Sequence, residues 1–413
     1  MIRNVAILGA TGSIGTSALE VIEKYLDRFS IWGLTSHTRT ENCCAMIKKF
    51  RPKTVAVSSE MIGDVGGFLT DGFDSVALLE GDQGINTIAA ADEVDIVIAG
   101  IAGAAGFAST VSAIRAGKKV LIANKEPLVM LGGLLRKLVA ESGAQIVPID
   151  SEHNAIFQCL PKTAQVDCMS GGIDKGQGLL RHGVRRIILT ASGGPFLDTP
   201  LDRMSDITPD QAAAHPRWSM GRKISIDSAT MMNKGLEIVE ACVLFGVSPQ
   251  NIEVVIHPES IVHSLVEYLD GSIVAQLANP DMRVPIAAAL ADPERIESGV
   301  ERLDLVRAGQ LNFQNPDDRK FPCLAIARQA AEVGGAAPIV LNAANEVAVN
   351  AFCAGRLRFT DIPEFIQCAL DKFCDRTAYD LISITRLDQL VRETLQNRLD
   401  AGATSFQQMV AGY

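Results

Sequence analysis

The sequence predicts an α/β protein whose N-terminal part is a doubly wound, Rossmann-like parallel sheet. Short runs rich in Val, Ile and Ala alternate with segments of helical spacing over the first 150 residues. Several of these runs are apolar throughout, as expected of strands that are buried on both faces. A glycine-rich turn also follows the first run and opens a helix. The predicted strands are 4–8, 30–35, 54–57, 96–99, 119–123 and 145–149.

Composition narrows the class of protein. The 413 residues suggest about two or three domains at roughly 150 residues each. The net charge is −10 and no long basic run occurs, so we expect no nucleic-acid partner. No signal peptide is evident, and the longest apolar stretch, 96–108, is too short to span a bilayer. Nine scattered cysteines without a CxxC pair predict reduced thiols in the cytoplasm, away from membranes.

The pattern changes after residue 150. Residues 162–184 are polar and are interpreted as a loop, and 191–222 as a mostly irregular lid or binding loop. Two alternating segments flank Asp270-Gly271, which predicts a hairpin whose open edge can pair with a second subunit. The remaining predicted strands are 186–190, 260–268 and 272–277. The predicted helices are 236–245, 322–333, 338–354, 361–374 and 384–399.

Four segments follow from these patterns. They are a dinucleotide-binding domain (1–150), a central catalytic and dimerisation domain (151–285), a linker (286–320) and a C-terminal helical domain (321–413).

The turn Gly9-Ala-Thr-Gly12-Ser-Ile-Gly15 follows a strand and precedes a helix. Glycines let the backbone turn tightly and approach a pyrophosphate, and the helix N-terminus offers unpaired N–H groups. The spacing is GxxGxxG rather than GxGxxG, but the strand–turn–helix context is the one that such a motif requires. A glycine-rich turn that binds no ligand is the alternative.

The end of the second strand predicts which dinucleotide binds. A site for NAD usually has an Asp or Glu there, whereas this chain has hydroxyl side chains and Arg39. An arginine suits a 2′-phosphate, so we expect NADP; the alternative for Arg39 is a solvated surface charge. Asn124-Lys125-Glu126 follows a later strand, at the edge where open α/β sheets bind ligands.

Two carboxylates follow the last strand of the predicted sheet. Asp150 and Glu152 are two positions apart, so that in a loop both could face one hard cation such as Mg²⁺ or Mn²⁺. Asp150 or Ser151 could equally cap the helix that follows. From the residues alone, both interpretations stay open.

A second polar cluster lies between Asp227 and Glu237. Ser228, Asn233 and Lys234 near a helix start would suit a phosphate, and Glu237 could give a third carboxylate. The alternative is helix capping with Lys234 and Glu237 on a solvated face. Three further candidates lie between the two clusters: Ser192 in a glycine loop, His215, and Trp218 as a lid residue or a buried anchor.

Taken together, these segments resemble the 1-deoxy-D-xylulose 5-phosphate reductoisomerase family nearly end to end. The matching stretches are ILGATGSIG, ANKE, PIDSEHNAIFQ, SGGPF, TPDQAAAHPRWSMGRKISIDSATMMNKGLE, IHPESIVHS and LNAANE. The resemblance implies a homodimer with a dinucleotide-binding domain, a central α/β domain and a helical bundle. It also implies the conversion of 1-deoxy-D-xylulose 5-phosphate, with NADPH and Mg²⁺ or Mn²⁺ (Co²⁺ as a further option), to 2-C-methyl-D-erythritol 4-phosphate. This is an early step of the non-mevalonate isoprenoid pathway, and fosmidomycin mimics the substrate in family members.

The resemblance also implies roles, residue by residue. The metal ligands would be Asp150, Glu152 and Glu237, which with Lys125 and Ser151 form the catalytic set. The phosphate would be held by Ser192, His215, Ser228, Asn233 and Lys234. A flap that covers the substrate would contain Trp218 and Met220. The NADPH contacts would be Thr11, Gly12, Ser13, Ile14, Arg39, Asn124, Lys125, Glu126 and Gly221.

This chain departs from the family pattern at one point that bears on function. Many members carry a Gly-Lys-Asn-like stretch after the second strand, where this chain has His37-Thr38-Arg39. The contacts to a 2′-phosphate therefore rest on Arg39. Two rival functions are another NADP-dependent dehydrogenase of the semialdehyde type, which needs a catalytic thiol, and a nonenzymatic NADP sensor. A sensor has no use for three carboxylates and a phosphate cradle.

Overall fold

The computed structural model of the chain describes residues 2–171, 178–214 and 221–401. Three residues of the predicted site and flap, His215, Trp218 and Met220, lie outside these ranges. The chain divides into two compact units. The first contains Met1–Pro127, Arg136–Gly172 and Asp281–Arg302, and the second contains Leu128–Leu135, Ile173–Pro280 and Leu303–Tyr413. The four predicted segments stay a prediction.

The first unit is built on a seven-stranded parallel sheet, which confirms the predicted fold class. Its order is β4-β3-β2-β1-β5-β6-β7, so the chain reverses its direction of winding between β1 and β5. Ligands bind open α/β sheets at such a switch point, outside the carboxyl ends of the strands. The strands are β1 (Arg3–Leu8), β2 (Phe29–Ser36), β3 (Thr54–Val57), β4 (Ala77–Glu80), β5 (Ile96–Ala99), β6 (Lys119–Ile122) and β7 (Gln145–Pro148).

Burial explains which strands the sequence predicted. The central strands are fully buried, with Val5 to Leu8 inaccessible to solvent, and their apolar runs were predicted within two residues of their bounds. The edge strand β4 was not predicted, although 76–79 is an apolar run; its four residues are half-exposed or exposed. The first helices are α1 (Ser13–Glu23), α2 (Thr40–Phe50), α3 (Ile62–Leu69), α4 (Gly81–Ala90), α5 (Phe107–Arg115), α6 (Glu126–Leu131), α7 (Leu134–Ser142), α8 (Ser151–Cys159) and α9 (Lys162–Met169).

The second unit contains a four-stranded mixed sheet of order β11-β10-β8-β9. The predicted hairpin is confirmed: β10 and β11 are antiparallel, and Gly271 takes the positive φ of 86° that the turn between them requires. Strand β9 was not predicted from its residues. The strands are β8 (Val184–Ala191), β9 (Ile252–Ile256), β10 (Val262–Tyr268) and β11 (Ile273–Leu277).

Helices make up most of the remaining described chain, and α13 belongs to the first unit. The long helix α16 is buried along most of its length and is contacted by α15, α17 and α18, which confirms the predicted helical C-terminal region. The helices are α10 (Pro209–Ala213), α11 (Arg222–Ala229), α12 (Met232–Phe245), α13 (Arg283–Ala291), α14 (Leu305–Ala308), α15 (Pro322–Val333), α16 (Ala337–Cys353), α17 (Ile362–Phe373) and α18 (Leu381–Asp400).

Two predictions about local structure were wrong. Part of the predicted loop 162–184 is helix α9, which the sequence hides because its polar and apolar residues do not segregate to opposite faces. Helix α12 begins four residues before the predicted start, at Met232, so Asn233 and Lys234 lie within its first turn. In the described chain, no helix combines the length and the apolar character needed to cross a membrane.

Candidate active site

The glycine turn after β1 lies at the switch point of the sheet. Gly9 has a φ of 82°, and a Cβ atom there would come within 3.0 Å of the Gly100 carbonyl oxygen after β5. At Gly15, a Cβ atom would meet the Ala10 carbonyl oxygen at 2.4 Å. Both positions therefore need glycine, because any side chain would push α1 away from the strand ends. The N-terminal end of α1, with Gly12 at its N-cap, is held where it can receive a pyrophosphate.

The end of β2 supports this turn. The Gly9 N–H donates to the Thr35 hydroxyl at 2.8 Å, and the hydroxyls of Thr11 and Ser36 lie 3.0 Å apart. The exposed Arg39 donates from Nη1 to the Thr11 carbonyl oxygen at 2.7 Å. The guanidinium is therefore beside the turn, which is where a cation must lie to reach the ribose side of a dinucleotide.

Asn124 follows β6 and is 7% exposed. Its Nδ2 donates to the Ile101 carbonyl oxygen at 2.7 Å, whereas its buried Oδ1 has no hydrogen-bond partner among the described residues. Gly106 lies so close that a Cβ atom there would come within 2.5 Å of Nδ2. A buried acceptor without a donor is costly, and a bound ligand is one way to satisfy it.

Asp150 follows β7 and occupies the N-cap of α8, but its side chain makes no capping hydrogen bond. Instead, its Oδ2 lies 3.0 Å from Nδ1 of the fully buried His153 and 3.4 Å from Nζ of Lys125. A carboxylate only accepts, so Nδ1 is the protonated nitrogen of the imidazole in this contact. The side chain of Asp150 thus makes no capping bond and lies between two donor groups instead.

The next two residues form a second polar pair at the start of α8. The Ser151 hydroxyl donates to Oε2 of Glu152 at 2.5 Å, and both side chains are half-buried. Hard oxygen donors of this kind suit Mg²⁺ or Mn²⁺. The first unit thus carries two carboxylates and a lysine at the carboxyl edge of the same sheet whose first strand leads into the glycine turn.

In the second unit, the predicted phosphate residues surround the turn between α11 and α12. Met231 has a left-handed φ of 58°, which turns the chain sharply between the two helices. The Thr230 hydroxyl donates to the Asp227 carbonyl oxygen and accepts from the Met232 N–H, each at 3.2 Å. Ser228 precedes this turn and Asn233 follows it, so the turn sets the distance along the chain between the two.

The first turn of α12 holds a buried cluster of charge. Glu237 is fully buried, and Lys234 is 3% exposed. Asn233 Nδ2 donates to Glu237 Oε1 at 2.6 Å, and Lys234 Nζ pairs with Glu237 Oε2. The solvated-face alternative for Lys234 and Glu237 is thus wrong. A buried carboxylate requires such partners, and the pair provides one group that can bind a cation and one that can bind a phosphate.

The loop after β8 packs directly against this turn. Gly193 and Gly194 have φ values of 81° and 67°, and a Cβ atom on Gly194 would come within 2.7 Å of the Ser228 carbonyl oxygen. The Gly194 N–H donates to the Ser192 hydroxyl at 3.2 Å. Within the second unit, Ser192 therefore lies beside the cluster of Ser228, Asn233 and Lys234.

Sequence reasoning missed two residues of these clusters. His153 was not assigned a role, although its i, i+3 spacing from Asp150 on a helix predicts a contact. Asp227 was considered only as a helix cap, yet its side chain is buried and bonded to Asn345, 118 positions further along the chain. No local signal could have predicted that partner.

Comparison with known proteins identifies the family. Family models match the chain in three blocks: 1-deoxy-D-xylulose 5-phosphate reductoisomerase over residues 5–132, its C-terminal domain over 146–245, and the DXP reductoisomerase C-terminal domain over 277–394. The 1-deoxy-D-xylulose 5-phosphate reductoisomerase of Stutzerimonas stutzeri (strain A1501) is 53% identical over 391 residues, which cover 94% of this chain and 96% of the relative. The chain belongs to the 1-deoxy-D-xylulose 5-phosphate reductoisomerase family.

Other members of the reductoisomerase family agree in sequence and in structure. The Pseudomonas putida (strain KT2440) reductoisomerase is 52% identical over 95% of this chain and 95% of its own. A crystal structure of DOX-P reductoisomerase in complex with NADPH, fosmidomycin and magnesium superposes with a TM-score of 0.92 at 46% identity, covering 98% of this chain and 100% of that one. The Zymomonas mobilis reductoisomerase in complex with NADPH gives a TM-score of 0.87 at 41% identity, covering 97% and 100%.

Proposed function

We propose that this protein is an NADPH- and divalent-metal-dependent oxidoreductase that converts 1-deoxy-D-xylulose 5-phosphate to 2-C-methyl-D-erythritol 4-phosphate, in the non-mevalonate isoprenoid pathway. The observation that carries the proposal is the pairing of a dinucleotide turn with Asp150 and Glu152 at the carboxyl edge of one sheet, in a chain of this family. The alternative dehydrogenase needs a reactive thiol. Burial raises the pKa of Cys159, the cysteine nearest to these carboxylates in sequence, to about 11, so that it is not such a nucleophile.

NADPH would be held mainly by backbone. The glycine turn leaves room for a pyrophosphate, the buried Asn124 Oδ1 offers an acceptor, and Arg39 would pair with the 2′-phosphate. The cofactor supplies a hydride. The residues assigned to it are Thr11, Gly12, Ser13, Ile14, Arg39, Asn124, Lys125, Glu126 and Gly221.

Asp150, Glu152 and Glu237 would bind one Mg²⁺ or Mn²⁺, with Co²⁺ as a further option. The ion would withdraw electron density from substrate oxygens and stabilise negative charge that develops on them. Lys125 and His153 contact the Asp150 carboxylate and fix its orientation. Lys125 and Ser151 would also donate to substrate hydroxyls, which orients the carbons whose bonds rearrange.

The phosphate would be bound by the Ser192 loop and the first turn of α12. Ser228 and Asn233 would donate to its oxygens, and Lys234 would add a positive charge. Anchoring this group, which does not react, supplies binding energy that holds the substrate in the site and lowers its KM. His215 is assigned to the same phosphate, and Trp218 with Met220 to a flap that excludes water.

We further propose a cytoplasmic homodimer. Strand β11 lies at the edge of its sheet, with Ile273 52% exposed and Val274 43% exposed, and such an edge offers unpaired backbone groups to a second chain. All nine cysteines are free thiols, as expected in a reducing compartment. Size-exclusion chromatography with light scattering tests the dimer, which a monomeric mass at micromolar concentration would exclude.

The proposed reaction is tested by NADPH absorbance at 340 nm. Purified protein, 1-deoxy-D-xylulose 5-phosphate and Mg²⁺ or Mn²⁺ should oxidise NADPH, and a chelator should stop the reaction. Glu237→Gln removes one proposed ligand charge at nearly constant shape and should reduce turnover at least about a hundredfold. Glu253→Gln, a half-exposed glutamate on β9 of the same unit, is the matched control. No turnover by folded wild-type protein with any of these ions would refute the proposed function.

Cofactor choice is tested at Arg39. Arg39→Ala should raise the KM for NADPH about tenfold and leave the KM for NADH unchanged, since only NADPH carries the 2′-phosphate. Equal changes for both cofactors would assign Arg39 to support of the turn through Thr11 rather than to cofactor selection.

A further inference from the structure

Asp227 is a buried residue whose carboxylate is contacted by side chains of two helices, α11 and α16. It lies on α11, directly before Ser228, and is 1% exposed. Its Oδ1 accepts from Nδ2 of Asn345 on α16 at 2.8 Å, and its Oδ2 lies 2.9 Å from Nζ of Lys223. Both oxygens therefore have a partner, one within α11 and one from the C-terminal helical region.

The Asn345 contact is specific in chemistry. A carboxylate only accepts hydrogen bonds, so Asn345 must present its amide nitrogen, and its side chain has one allowed orientation. Asn345 itself is fully buried, within the LNAANE segment to which the proposed function assigns no role. The neighbouring Cys323 thiol stays neutral, since burial and the charge of Asp227 raise its pKa to about 12. A buried carboxylate costs several kcal/mol unless it is paired in this way.

The end of α11 that Asp227 holds is the end that carries the proposed phosphate residues. The Thr230 hydroxyl donates to the Asp227 carbonyl oxygen, and Met231 then turns the chain into α12. The Ser228 carbonyl oxygen is also the atom against which Gly194 packs. A shift of this end of α11 would thus move Ser228 and the first turn of α12, and would press on the Ser192 loop.

We propose that Asp227 and Asn345 are positioning residues for the substrate phosphate. Their hydrogen bond fixes the end of α11 to α16. This holds Ser228, Asn233 and Lys234 in the relative positions in which they would bind the phosphate. Neither residue touches the substrate in this role. The inference rests on the proposed function, because it names how this chain prepares the phosphate-binding part of that site.

This role has a kinetic signature that loss of stability lacks. The phosphate is bound alike in the ground state and the transition state, so a looser cradle raises the KM for the sugar phosphate and leaves kcat largely unchanged. Eight of the nine residues assigned to NADPH are in the first unit, and the ninth, Gly221, is at the opposite end of α11 from Asp227, so the Kd for NADPH should change far less than the KM for the sugar phosphate. A general loss of folded protein would instead lower the apparent kcat at constant KM.

The decisive comparison is Asn345→Ala with Asn342→Ala. Both asparagines are fully buried on α16, but Asn342 Nδ2 faces Glu346, on the same helix, rather than α11. Asn345→Ala should raise the KM for 1-deoxy-D-xylulose 5-phosphate about tenfold, with kcat within about twofold of wild type. Asn342→Ala should leave KM unchanged despite a comparable loss of stability. Equal KM values in the two variants would overturn the proposal.

A reciprocal exchange tests the hydrogen bond itself. The double variant Asp227→Asn with Asn345→Asp restores one amide facing one carboxylate. Its KM should therefore lie closer to the wild-type value than the raised KM of either single variant. Additive defects would contradict the proposed pairing.

A binding measurement separates this inference from the proposed reaction. Inorganic phosphate should raise the Tm of wild type and of Asn342→Ala, and should raise it less in Asn345→Ala, because a ligand stabilises the folded state in proportion to its affinity. If wild type shows this rise without turning over the sugar phosphate, the proposed reaction fails and the positioning role stands. An equal rise in all three proteins overturns the positioning role, whatever the reaction.

Discussion

Asp150 and Asp380 each occupy the N-cap of a helix, and of these two only Asp380 caps its helix. At Asp380, Oδ1 accepts a hydrogen bond from the Ser383 N–H at 2.7 Å, and the Asp380 N–H donates to the Ser383 hydroxyl at 3.1 Å. At Asp150, the side chain makes no capping bond to a backbone N–H of α8, and Oδ2 contacts the side chains of His153 and Lys125 instead. The same residue type, at the same helix position, thus makes two different sets of contacts.

The position of each aspartate in the fold explains the difference. Asp150 follows β7 at the carboxyl edge of a parallel sheet, where open α/β folds bind ligands, whereas Asp380 lies in a connection between two helices. An N-cap side chain that makes no capping bond forgoes about 1 kcal/mol of stability. The Asp150 carboxylate contacts His153 and Lys125 in place of the cap, which leaves it for the ligand role proposed above, while the carboxylate of Asp380 stabilises the helix.

The largest expected effect separates these two roles at Asp150. Asp150→Asn keeps the shape of the side chain and removes the charge that would face the ion, so turnover should fall about a thousandfold. No capping bond is lost and the Asn oxygen can still accept from His153, so any fall in the free energy of unfolding comes from the lost ion pair with Lys125. Steady-state NADPH oxidation and urea unfolding of the same preparation measure both quantities. A stability loss as large as that of a cap variant, with turnover preserved, would make Asp150 a structural residue.

The glycine turn offers a sharper structural contrast. Gly15→Ala places a Cβ atom 2.4 Å from the Ala10 carbonyl oxygen, so α1 must move and the free energy of unfolding should fall by about 2 kcal/mol. NADPH should bind more weakly, since the N-terminal end of α1 shifts. Gly67→Ala, on α3 with open space around it, is the control and should stabilise by roughly 0.5 to 1 kcal/mol. Unchanged NADPH affinity in Gly15→Ala would remove this turn from the cofactor site.

How much the sequence predicts depends on whether a feature is local. The central strands and the hairpin at Asp270-Gly271 were predicted because an apolar run or a turn pair carries its own signal. Strand β4 was missed although 76–79 is apolar, because a run this short does not by itself distinguish a strand from part of a helix. The sequence could not show whether Asp150 caps a helix or binds a metal ion, since aspartate is suited to both roles. The pairing of Asp227 with Asn345 depends on how α11 and α16 pack, which no single segment encodes.

A smaller effect is expected at the aspartate that does cap. Asp380→Ala removes the acceptor for the Ser383 N–H and should lower the free energy of unfolding by about 1 kcal/mol. Turnover and the KM for NADPH should stay at wild-type values, because Asp380 begins a helix of the C-terminal region. Urea unfolding and the NADPH assay, run beside Asp150→Asn, complete the comparison. If Asp380→Ala lost turnover while the protein remained fully folded, the contrast between the two aspartates would be wrong.

Two lysines extend the contrast to the two ends of one strand. Lys125 follows β6 at its carboxyl end and pairs with Asp150, whereas Lys119 begins β6 and donates to the Ala289 carbonyl oxygen at 2.9 Å. Burial lowers the pKa of Lys119 from 10.5 to about 8, against the opposing effect of Asp292. The unfolded chain therefore binds its proton more tightly, and Lys119 makes the free energy of unfolding rise with pH between about 8 and 10.5.

Lys119→Met should remove this dependence on pH. Below pH 8 the cost of charging the buried amine is fully present in the wild type, so the stability of the variant relative to wild type should be greatest there. The difference should shrink as pH rises through the window, and turnover should be unchanged. Urea unfolding at pH 7.5 and pH 9.5 measures the difference. A gap that stays constant between these pH values would mean that Lys119 keeps its ordinary pKa, and a loss of turnover would mean that chemistry is not confined to the carboxyl edge of the sheet.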